Sequence, residues 1–298
     1  MSKTHPNTAP LNRFADATLS DKEPPVSADS PLSKMIGQYE ILEMIGQGGM
    51  GTVYEAVHPH LNRVVALKMI CRDCQLDDPT AKERFVREMR VLGRLDRHPN
   101  IVHVYDTGID GDTLFIAMEY LEGRDLGTLI GEPLKMPVKD AADCLRQAAT
   151  GLAYTHKTGY VHRDIKPSNL FLTDDSVIKI LDFGLARKIE EGGDFDQTET
   201  DDASGCEDFM APERLRDKKA DVRSDIYSLG QSFVRILTGP EQDWDGEPIP
   251  PELKPILDRM TAELPDQRYQ TMDELIEAID SSFPDVASRL HQSRTSRL

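Results

Sequence analysis

The pattern of apolar and polar positions divides the chain into two parts with different periods. Across residues 39–119, short runs with strand-like alternation surround one stretch of helical period. The apolar face of that stretch is formed by Phe85, Met89, Leu92 and Leu95. Strands repeat every second residue and helices every 3.6 residues. The first part is therefore predicted to be a small antiparallel sheet with one helix packed on it.

From residue 122 onwards the pattern becomes mainly helical. The helical segments are KDAADCLRQAATGLAYTHKTG, SDIYSLGQSFVRILTG, PELKPILDRM and TMDELIEAIDSSF, with short strand-like runs at NLFL and VIKIL. The N-terminal segment is rich in Pro, Ser, Asp and Thr without a sustained period, and the C-terminal segment is polar, so residues 1–37 and 284–298 are predicted to be tails. The folded domain is expected at 38–283, with an N-lobe at 38–119 and an α-rich C-lobe at 122–283.

Composition narrows the class of protein. A chain of 298 residues with 39% apolar residues can bury a sizeable core. Its apolar runs are far shorter than the roughly 18 residues that a membrane span needs. Four scattered cysteines argue against a disulfide framework, so a reducing compartment and a cytoplasmic location are expected. The net charge of -17 argues against general nucleic-acid binding and mildly favours cationic partners.

The sequence IGQGGMGTV places Gly46, Gly48 and Gly51 at G-x-G-x-x-G spacing between two strand-like runs. The motif alone is weak, because the same spacing occurs in dinucleotide-binding folds. In those folds a helix follows the glycines, whereas here another strand-like run follows. The glycines are therefore predicted to form the bend of a hairpin, whose main-chain amides could close over phosphate groups.

An inward-facing cation is predicted at the end of VVALK. Lys68 ends an alternating apolar strand, and taken alone it would be a lysine whose stem is buried while its ammonium group reaches water. Glu88 lies next to Met89 on the sheet-facing side of the predicted helix. A pair of Lys68 and Glu88 would hold the ammonium group against nucleotide phosphates.

Polar residues suited to phosphoryl transfer follow in the second part. HRDIKPSN contains Asp164, Lys166 and Asn169 within six residues, and LDFG places Asp182 after an apolar strand. Each residue alone would be assigned to a surface loop. Together they match the requirements of phosphoryl transfer from ATP: a carboxylate for the attacking hydroxyl, a lysine for phosphate charge, and oxygen ligands for Mg²⁺.

These motifs and their order resemble those of the eukaryotic-like, Hanks-type serine/threonine protein kinases of bacteria. The resemblance covers residues 39–283. It implies an α+β, bilobal protein-kinase fold, with an antiparallel sheet and one helix in the N-lobe, a mainly helical C-lobe, and ATP in the cleft. It also implies Mg²⁺-dependent transfer of the ATP γ-phosphate to Ser or Thr hydroxyls of proteins, including the kinase itself. DIKPSN, with Lys166 two residues after Asp164, resembles serine/threonine rather than tyrosine kinases.

The resemblance assigns roles to individual residues. The catalytic residues are Asp164 as base, Lys166, Lys68 and Glu88. The metal ligands are Asn169 and Asp182. The nucleotide would be bound by the glycine flap, the adenine pocket and the segment joining the lobes, which comprise Ile45, Gly46, Gln47, Gly48, Gly49, Met50, Gly51, Thr52, Val53, Ala66, Lys68, Met118, Glu119, Leu121 and Phe171.

The resemblance also implies three supporting arrangements. Glu213 in MAPE would pair with a buried Arg268, and Asp225 would prop the catalytic loop. An apolar stack linking the lobes would consist of Leu92, Val104, His162 and Phe183.

Two departures from the family pattern bear on activity. Cys206 stands where the family has a threonine that ties the substrate-binding loop to the catalytic residues, and a thiol is a poorer hydrogen bonder. Only nine residues, PEQDWDGEP, separate Gly239 from IPPEL, so a helix usual at that point is expected to be missing or very short. These departures support an alternative, a kinase-like nucleotide-binding scaffold with weak or no catalysis. A small-molecule kinase is disfavoured by MAPE and DIYSLG, which resemble segments of peptide-directed members.

The stretch EEGGDFDQTETDDASGCED at 190–208 contains nine carboxylates and no Lys or Arg. A calcium loop counted from Asp194 fails, because position six is Glu199 where glycine is needed and position twelve is Gly205 where glutamate is needed. By resemblance it belongs to the activation segment at 185–213. Its charge would replace a phosphate near Arg163, attract cationic residues of a substrate, or simply be solvated. Candidate phosphorylation sites are Thr198, Thr200 and Ser204.

Overall fold

In its described residues, the N-lobe consists of a six-stranded antiparallel sheet and one helix. The computed structural model describes residues 35–48, 51–70, 79–95, 97–130, 136–188, 207–217, 220–239 and 249–286. The strands, in the spatial order β1-β2-β3-β4-β6-β5, are β1 (Met35–Ile36), β2 (Tyr39–Gly48), β3 (Gly51–His58), β4 (Arg63–Ile70), β5 (Val104–Asp110) and β6 (Thr113–Glu119). The helix is α1 (Pro79–Leu92).

Strand β4 lies in the middle of this sheet and is buried on both faces along most of its length. Val65, Leu67 and Met69 belong to the apolar cluster on one face. Ile70 packs on the other face with Phe85 of α1. Because side chains alternate along a strand, Lys68 points to the same face as Ile70, toward α1. The period that predicted the strand thus also sets the direction of its lysine.

The C-lobe is mainly helical. Its helices are α2 (Val138–Lys157), α3 (Pro212–Asp217), α4 (Val222–Thr238), α5 (Lys254–Met260) and α6 (Met272–Ser282). Two small sheets, β10-β9-β7 and β11-β8, are built from β7 (Gly123–Asp125), β8 (Tyr160–Val161), β9 (Leu170–Thr173), β10 (Ile178–Ile180) and β11 (Arg187–Lys188). The buried face of α2 forms the centre of the apolar core of this lobe. None of the helices in the described ranges is long and apolar enough to cross a membrane.

The predicted two-lobe architecture is confirmed, with differences at its ends. Strand β1 pairs with β2 through a turn at Gly37, whose φ is +57°, so the sheet begins three residues before the predicted domain start at 38. Val286 is buried in the C-lobe core, three residues beyond the predicted end at 283. A two-residue strand and a single buried valine are too small to change the local composition from which the ends of the domain were predicted. The rest of both predicted tails lies outside the described residues, as do 71–78, 189–206 and 240–248.

The chain enters the C-lobe through a glycine that no other residue can replace without strain. Gly123 begins β7 with a φ of +139°, a backbone conformation that side chains disfavour. A Cβ atom at this position would lie 2.2 Å from the carbonyl oxygen of Leu172 and 2.8 Å from the Cα of Thr173. The pairing of β7 with β9 therefore depends on the absence of a side chain.

Replacing Gly123 with Ala should lower the free energy of unfolding by about 2–3 kcal/mol, because the added methyl group meets main-chain atoms that cannot move aside. Gly159→Ala is the matched control, since Gly159 also has a positive φ, +86°, but nothing lies within 4 Å of its added Cβ. Urea unfolding of both variants measures the difference. Equal losses in the two variants would mean that only the φ angle, and not the close approach of β9, matters at Gly123.

Candidate active site

A buried lysine and two carboxylates meet between the lobes. The Nζ of Lys68 lies 2.7 Å from Oε2 of Glu88 and 3.6 Å from Oδ1 of Asp182. Strand β4 directs the lysine toward α1, and Glu88 lies on the inner face of that helix with 2% of its surface exposed. Asp182 follows β10 and the side chain is 24% exposed. The structure therefore brings together three residues that the sequence places on separate elements.

Electrostatics distinguish the two carboxylates. Burial raises the pKa of Glu88 to about 7, although the ammonium group of Lys68 opposes this shift. Burial also acts to raise the pKa of Asp182, but Lys68 and the main-chain N–H of Gly184 outweigh it and the pKa is lowered. Burial would lower the pKa of Lys68, yet the carboxylates of Asp182 and Glu88 raise it overall. At neutral pH the lysine is charged and Asp182, the more exposed carboxylate, is ionised.

The loop of residues 162–169, which the resemblance identifies as the catalytic loop, places the remaining predicted polar residues beside one another. Nζ of Lys166 lies 3.4 Å from Oδ2 of Asp164. The amide Nδ2 of Asn169 donates to the main-chain oxygen of Asp164 at 2.7 Å and to its Oδ2 at 3.0 Å. The main-chain N–H of Leu181 donates to the Asn169 carbonyl at 2.9 Å, which brings Asp182 next to this loop. Asp164 is thus oriented by an amide and faced by an ammonium group.

The predicted metal ligands are an amide and a carboxylate on adjoining segments. The oxygens of Asn169 and Asp182 are the hard donors that Mg²⁺ takes, and this ion commonly uses one or two protein ligands together with phosphates and water. Within the described ranges, no group of three or more His, Cys, Asp or Glu side chains is arranged to hold a metal by itself. The donor set therefore fits an ion shared with a nucleotide, and the assignment of both ligands stays a prediction.

Two of these residues sit in strained backbone conformations. Arg163 and Asp182 have φ angles of +70° and +59°, which residues other than glycine rarely adopt. The turn at Arg163 is held by Asp225, a fully buried carboxylate at the start of α4, which accepts the main-chain N–H groups of His162 and Arg163, each at 2.8 Å. The guanidinium group of Arg214 donates to the main-chain oxygen of Arg163. Strain next to Asp164 is therefore maintained by contacts from α3 and α4.

Asp225 has a third partner that the sequence did not reveal. Nε2 of His156 on α2 lies 2.8 Å from Oδ2 of Asp225. Burial would raise the pKa of Asp225, but the hydrogen bond and charge of His156, the charge of His162 and the main-chain N–H of Arg163 lower it overall. The only signal for His156 in the sequence is a histidine close to the buried face of a helix, a position that equally fits a structural role.

The glycine motif forms the predicted hairpin. Gly46 pairs with Val53, and Gly48 pairs with Gly51 across the bend. Gly51 has a φ of +127°, and an added Cβ would lie 2.3 Å from the Met69 carbonyl oxygen, so the bend requires a glycine. Gly49 and Met50 at the tip lie outside the described residues. The remaining members of the flap in the described ranges are Ile45, Gln47 and Thr52.

The predicted adenine pocket is lined from both lobes. Ala66 on β4 pairs with Met118 on β6, and Lys68 pairs with Val53, so the register places these side chains around one region of the sheet. Phe171 lies on β9 of the C-lobe, two residues after Asn169, and is 2% exposed. Leu121 lies in the segment that joins the lobes, here called the hinge (residues 119–122), and is half-buried. These positions agree with a pocket between the lobes, and their contacts with a nucleotide stay predictions.

The side chain of Glu119 fixes the hinge, a role that the sequence did not assign. Its Oε1 accepts from Nζ of Lys179 at 2.6 Å and from the main-chain N–H of His103 at 2.8 Å. Its own N–H donates to the His103 carbonyl at 2.8 Å, so that N–H is already committed to the protein. Lys179 lies on β10, three residues before Asp182. The carboxylate therefore joins the hinge to the strand that carries a predicted metal ligand.

The supporting arrangements are present. Arg268, 1% exposed, forms a two-pronged pair with Glu213 at 2.9 and 2.8 Å, and Ser224 donates to Glu213 at 2.8 Å. Burial would raise the pKa of Glu213, but the hydrogen bond from Arg268 lowers it overall. In the predicted stack, the rings of His162 and Phe183 lie 4.6 Å apart, and both side chains are fully buried. Leu92 and Val104 belong to the same apolar cluster as Phe183.

The predicted activation segment, residues 185–213, is described only at its two ends. Cys206 and residues 189–205 lie outside the described residues, and so does the shortened connection after Gly239. The acidic stretch enters the structure only at its end. There Asp208 lies in a short 3-10 helix and its Oδ2 is 3.3 Å from Nη2 of Arg235 on α4.

Comparison with known proteins finds matches over most of the chain. A family model described as a protein kinase domain matches residues 39–297. Serine/threonine-protein kinase PknB of Mycolicibacterium smegmatis is 34% identical over 292 residues, which are 88% of this chain and 46% of that protein. Serine/threonine-protein kinase PrkC of Bacillus subtilis is 33% identical over 283 residues, 88% of this chain and 42% of that protein. The chain thus spans less than half the length of these two relatives.

Solved structures lead to the same group. The crystal structure of the PknI kinase domain of Mycobacterium tuberculosis has a TM-score of 0.64 and 28% sequence identity, and the match covers 84% of this chain and 98% of that chain. Because the match covers 84% of this chain, the similarity extends over both lobes.

Asp225→Asn should lower the free energy of unfolding at pH 7 by about 2–4 kcal/mol, because the amide cannot accept all the N–H groups that the buried carboxylate accepts. The folded-state pKa of Asp225 lies below its ordinary value, so the stability that its charge contributes is present above about pH 4 and is lost as the pH falls further. Urea unfolding at pH 7 and pH 3.5 should show the deficit of the variant shrinking in acid.

Asp221→Asn is the matched control for this variant. Asp221 caps the same helix α4, where asparagine is as good a cap as aspartate, so its stability should change by less than about 1 kcal/mol. A deficit in Asp225→Asn that is the same at both pH values would show that the charge of Asp225 is not the source of the stabilisation.

Proposed function

This chain belongs to the protein kinase domain family, as a serine/threonine kinase of the bacterial Hanks type, and we propose that it transfers the γ-phosphate of Mg-ATP to Ser and Thr hydroxyl groups of proteins, including its own. One observation carries the proposal. The buried Lys68 is engaged with both Glu88 and Asp182 while Asp164, Lys166 and Asn169 lie together on the adjoining loop.

Lys68 would hold the phosphates of ATP. Its ammonium group is charged and is fixed in direction by Glu88, so it can interact with phosphate oxygens without a search over rotamers. Glu88 acts through the lysine and is therefore a positioning residue in this proposal. The main-chain amides of the glycine hairpin would close over the same phosphates from above.

Asp164 would accept the proton of the attacking hydroxyl group. The Asn169 amide donates to one of its carboxylate oxygens, which sets the orientation of the carboxylate. Lys166, 3.4 Å from that carboxylate, is placed to interact with the developing charge on the transferred group. The strained turn at Arg163 directs Asp164 toward the cleft, and Asp225 maintains that turn.

Asn169 and Asp182 would hold Mg²⁺. When bound, the ion neutralises phosphate charge and orients the terminal phosphate for in-line transfer. The lowered pKa of Asp182 keeps its carboxylate ionised and available as a ligand. The adenine ring would lie between Val53 and Ala66 on one side and Phe171 on the other, against the main chain of the hinge.

The substrates are proposed to be proteins whose acceptor residue lies near basic side chains. The support is the net charge of -17 and the nine carboxylates at 190–208, where the family places its activation segment. Cytoplasmic action is proposed from the scattered cysteines, which indicate a reducing compartment.

Asp164→Asn and Lys68→Met should each reduce transfer of labelled phosphate from ATP to protein by about a hundredfold or more, because one removes the base and the other the phosphate-binding cation. The controls are Asp175→Asn and Lys139→Met, which change exposed residues of the same types outside the site. Mass spectrometry of wild-type protein incubated with Mg-ATP locates the phosphorylated residues. Transfer that persists in both purified site variants would contradict the roles assigned to Asp164 and Lys68. Absence of transfer in the wild type would favour a nucleotide-binding scaffold.

Asp201→Asn combined with Asp202→Asn should lower kcat/KM about two- to fivefold for a peptide with arginine beside the acceptor serine and leave a neutral peptide unchanged, because the carboxylates attract the cationic side chain. Peptide phosphorylation at low salt measures both rates. A loss on both peptides would instead mean that the carboxylates replace a phosphate near Arg163. No change on either peptide would contradict the proposed attraction.

A further inference from the structure

A hydrogen bond ties the helix of the N-lobe to the strand that leads to the catalytic loop. Nη1 of Arg94, just beyond the end of α1, donates to the hydroxyl oxygen of Tyr160 on β8 at 2.8 Å. The two residues are 66 positions apart in the chain, and neither is among the residues to which the sequence motifs assign a role. The contact therefore has no signal in the sequence.

Arg94 moves with the helix that carries Glu88. The main-chain N–H groups of Gly93, Arg94 and Leu95 donate to the carbonyls of Met89 and Val91, at 3.0, 2.9 and 3.1 Å respectively, so the last turn of α1 continues past Leu92. Arg94 is six residues beyond Glu88 and is fixed to it through helical backbone. A restraint on Arg94 is thus a restraint on the direction of Glu88.

Tyr160 is fixed in the C-lobe. Its ring is 7% exposed and belongs to the apolar core, and its strand pairs with β11, where Lys188 lies opposite it. Packing alone would be satisfied by phenylalanine, whereas a hydroxyl group at the edge of a buried ring needs a polar partner. Tyr160 precedes Asp164 by four residues, so its strand leads directly into the catalytic loop.

The hydrogen bond between Arg94 and Tyr160 restrains the angle of α1, which the apolar stack does not. Contacts of Leu92 with the core beside Phe183 are non-directional and tolerate small rotations of α1. A hydrogen bond from a planar guanidinium group weakens steeply when its angle changes. The orientation of α1 decides whether Glu88 reaches Lys68. The hydrogen bond from Arg94 restrains this orientation and so supports the buried pair.

We propose that Arg94 and Tyr160 are positioning residues that hold α1 in the orientation in which Glu88 engages Lys68, and that they couple this orientation to strands β8 and β11. The pair touches neither substrate nor metal. Its effect on rate rests on the proposed kinase function, whereas its effect on the helix does not.

Tyr160→Phe and Arg94→Gln should each lower kcat for protein phosphorylation about three- to tenfold, because each removes the hydrogen bond that restrains α1. Tyr160→Phe should leave the melting temperature nearly unchanged, since Arg94 is exposed and its guanidinium group can be hydrated, whereas Arg94→Gln should lower it slightly, because the buried Tyr160 hydroxyl group loses its donor. The double variant should be no slower than either single variant, and Arg94→Lys should recover part of the rate. Arg90→Gln is the matched control, since Arg90 is an exposed residue on the same helix and its loss should leave kcat unchanged.

Hydrogen exchange provides a readout that does not depend on activity. Amides of residues 85–95 should exchange faster in Tyr160→Phe and Arg94→Gln, while those of α2 and α4 keep the wild-type rates. Unchanged exchange in α1 for both variants would overturn the proposal, and so would rate losses that add in the double variant. If wild-type protein is no more active than Asp164→Asn, the kinase proposal fails, and the exchange experiment still decides whether the contact holds α1.

Discussion

The geometry of the cleft depends on one buried ion pair, between Lys68 on β4 and Glu88 on α1. A charged lysine in an apolar setting is costly unless it is paired, and here it has one carboxylate at 2.7 Å and a second, Asp182, at 3.6 Å. The three residues come from β4, α1 and the segment after β10. The pair forms only when β4 and α1 are aligned. The position of α1 therefore determines whether the ammonium group of Lys68 has a carboxylate partner in the cleft. Removing Lys68 would leave Glu88 buried without its cation, whereas removing Glu88 would leave the lysine only its longer contact with Asp182.

In the catalytic loop, the backbone groups of one turn are held by hydrogen bonds from distant segments. The turn at Arg163 has a left-handed conformation, and its N–H and carbonyl groups find partners on other elements rather than within a helix or a sheet. Asp225 supplies a buried negative charge whose low pKa follows from the donors that converge on it. Glu119 has a comparable position at the hinge, where one carboxylate holds Lys179 and the loop at His103. In each place a single carboxylate from a distant segment keeps an irregular segment in a fixed shape.

Local patterns predicted much of this site, because each motif consists of residues that lie close together in the sequence. The alternation of VVALK determined the direction of Lys68, and the strand after the glycines indicated a hairpin rather than a dinucleotide fold. Contacts between single residues on separate elements were not predictable in the same way. His156, Arg214 and the pair of Arg94 and Tyr160 carry no periodic or spacing signal, and each is recognised only by the atom that it meets.

By itself the sequence determined the two-lobe class, the order of the elements and the residue types available for phosphoryl transfer, because periodicity and motif spacing are properties of neighbouring positions. Tertiary structure decided which of those residues meet and in what ionic state. A pKa depends on burial and on charges brought from elsewhere in the chain, so Glu88 is raised to about 7 while Asp182, three-quarters covered and beside the same lysine, is lowered. Helix α1 carries Glu88, and Arg94 just beyond its end donates to Tyr160. That hydrogen bond joins residues 66 positions apart and exists only in the folded chain.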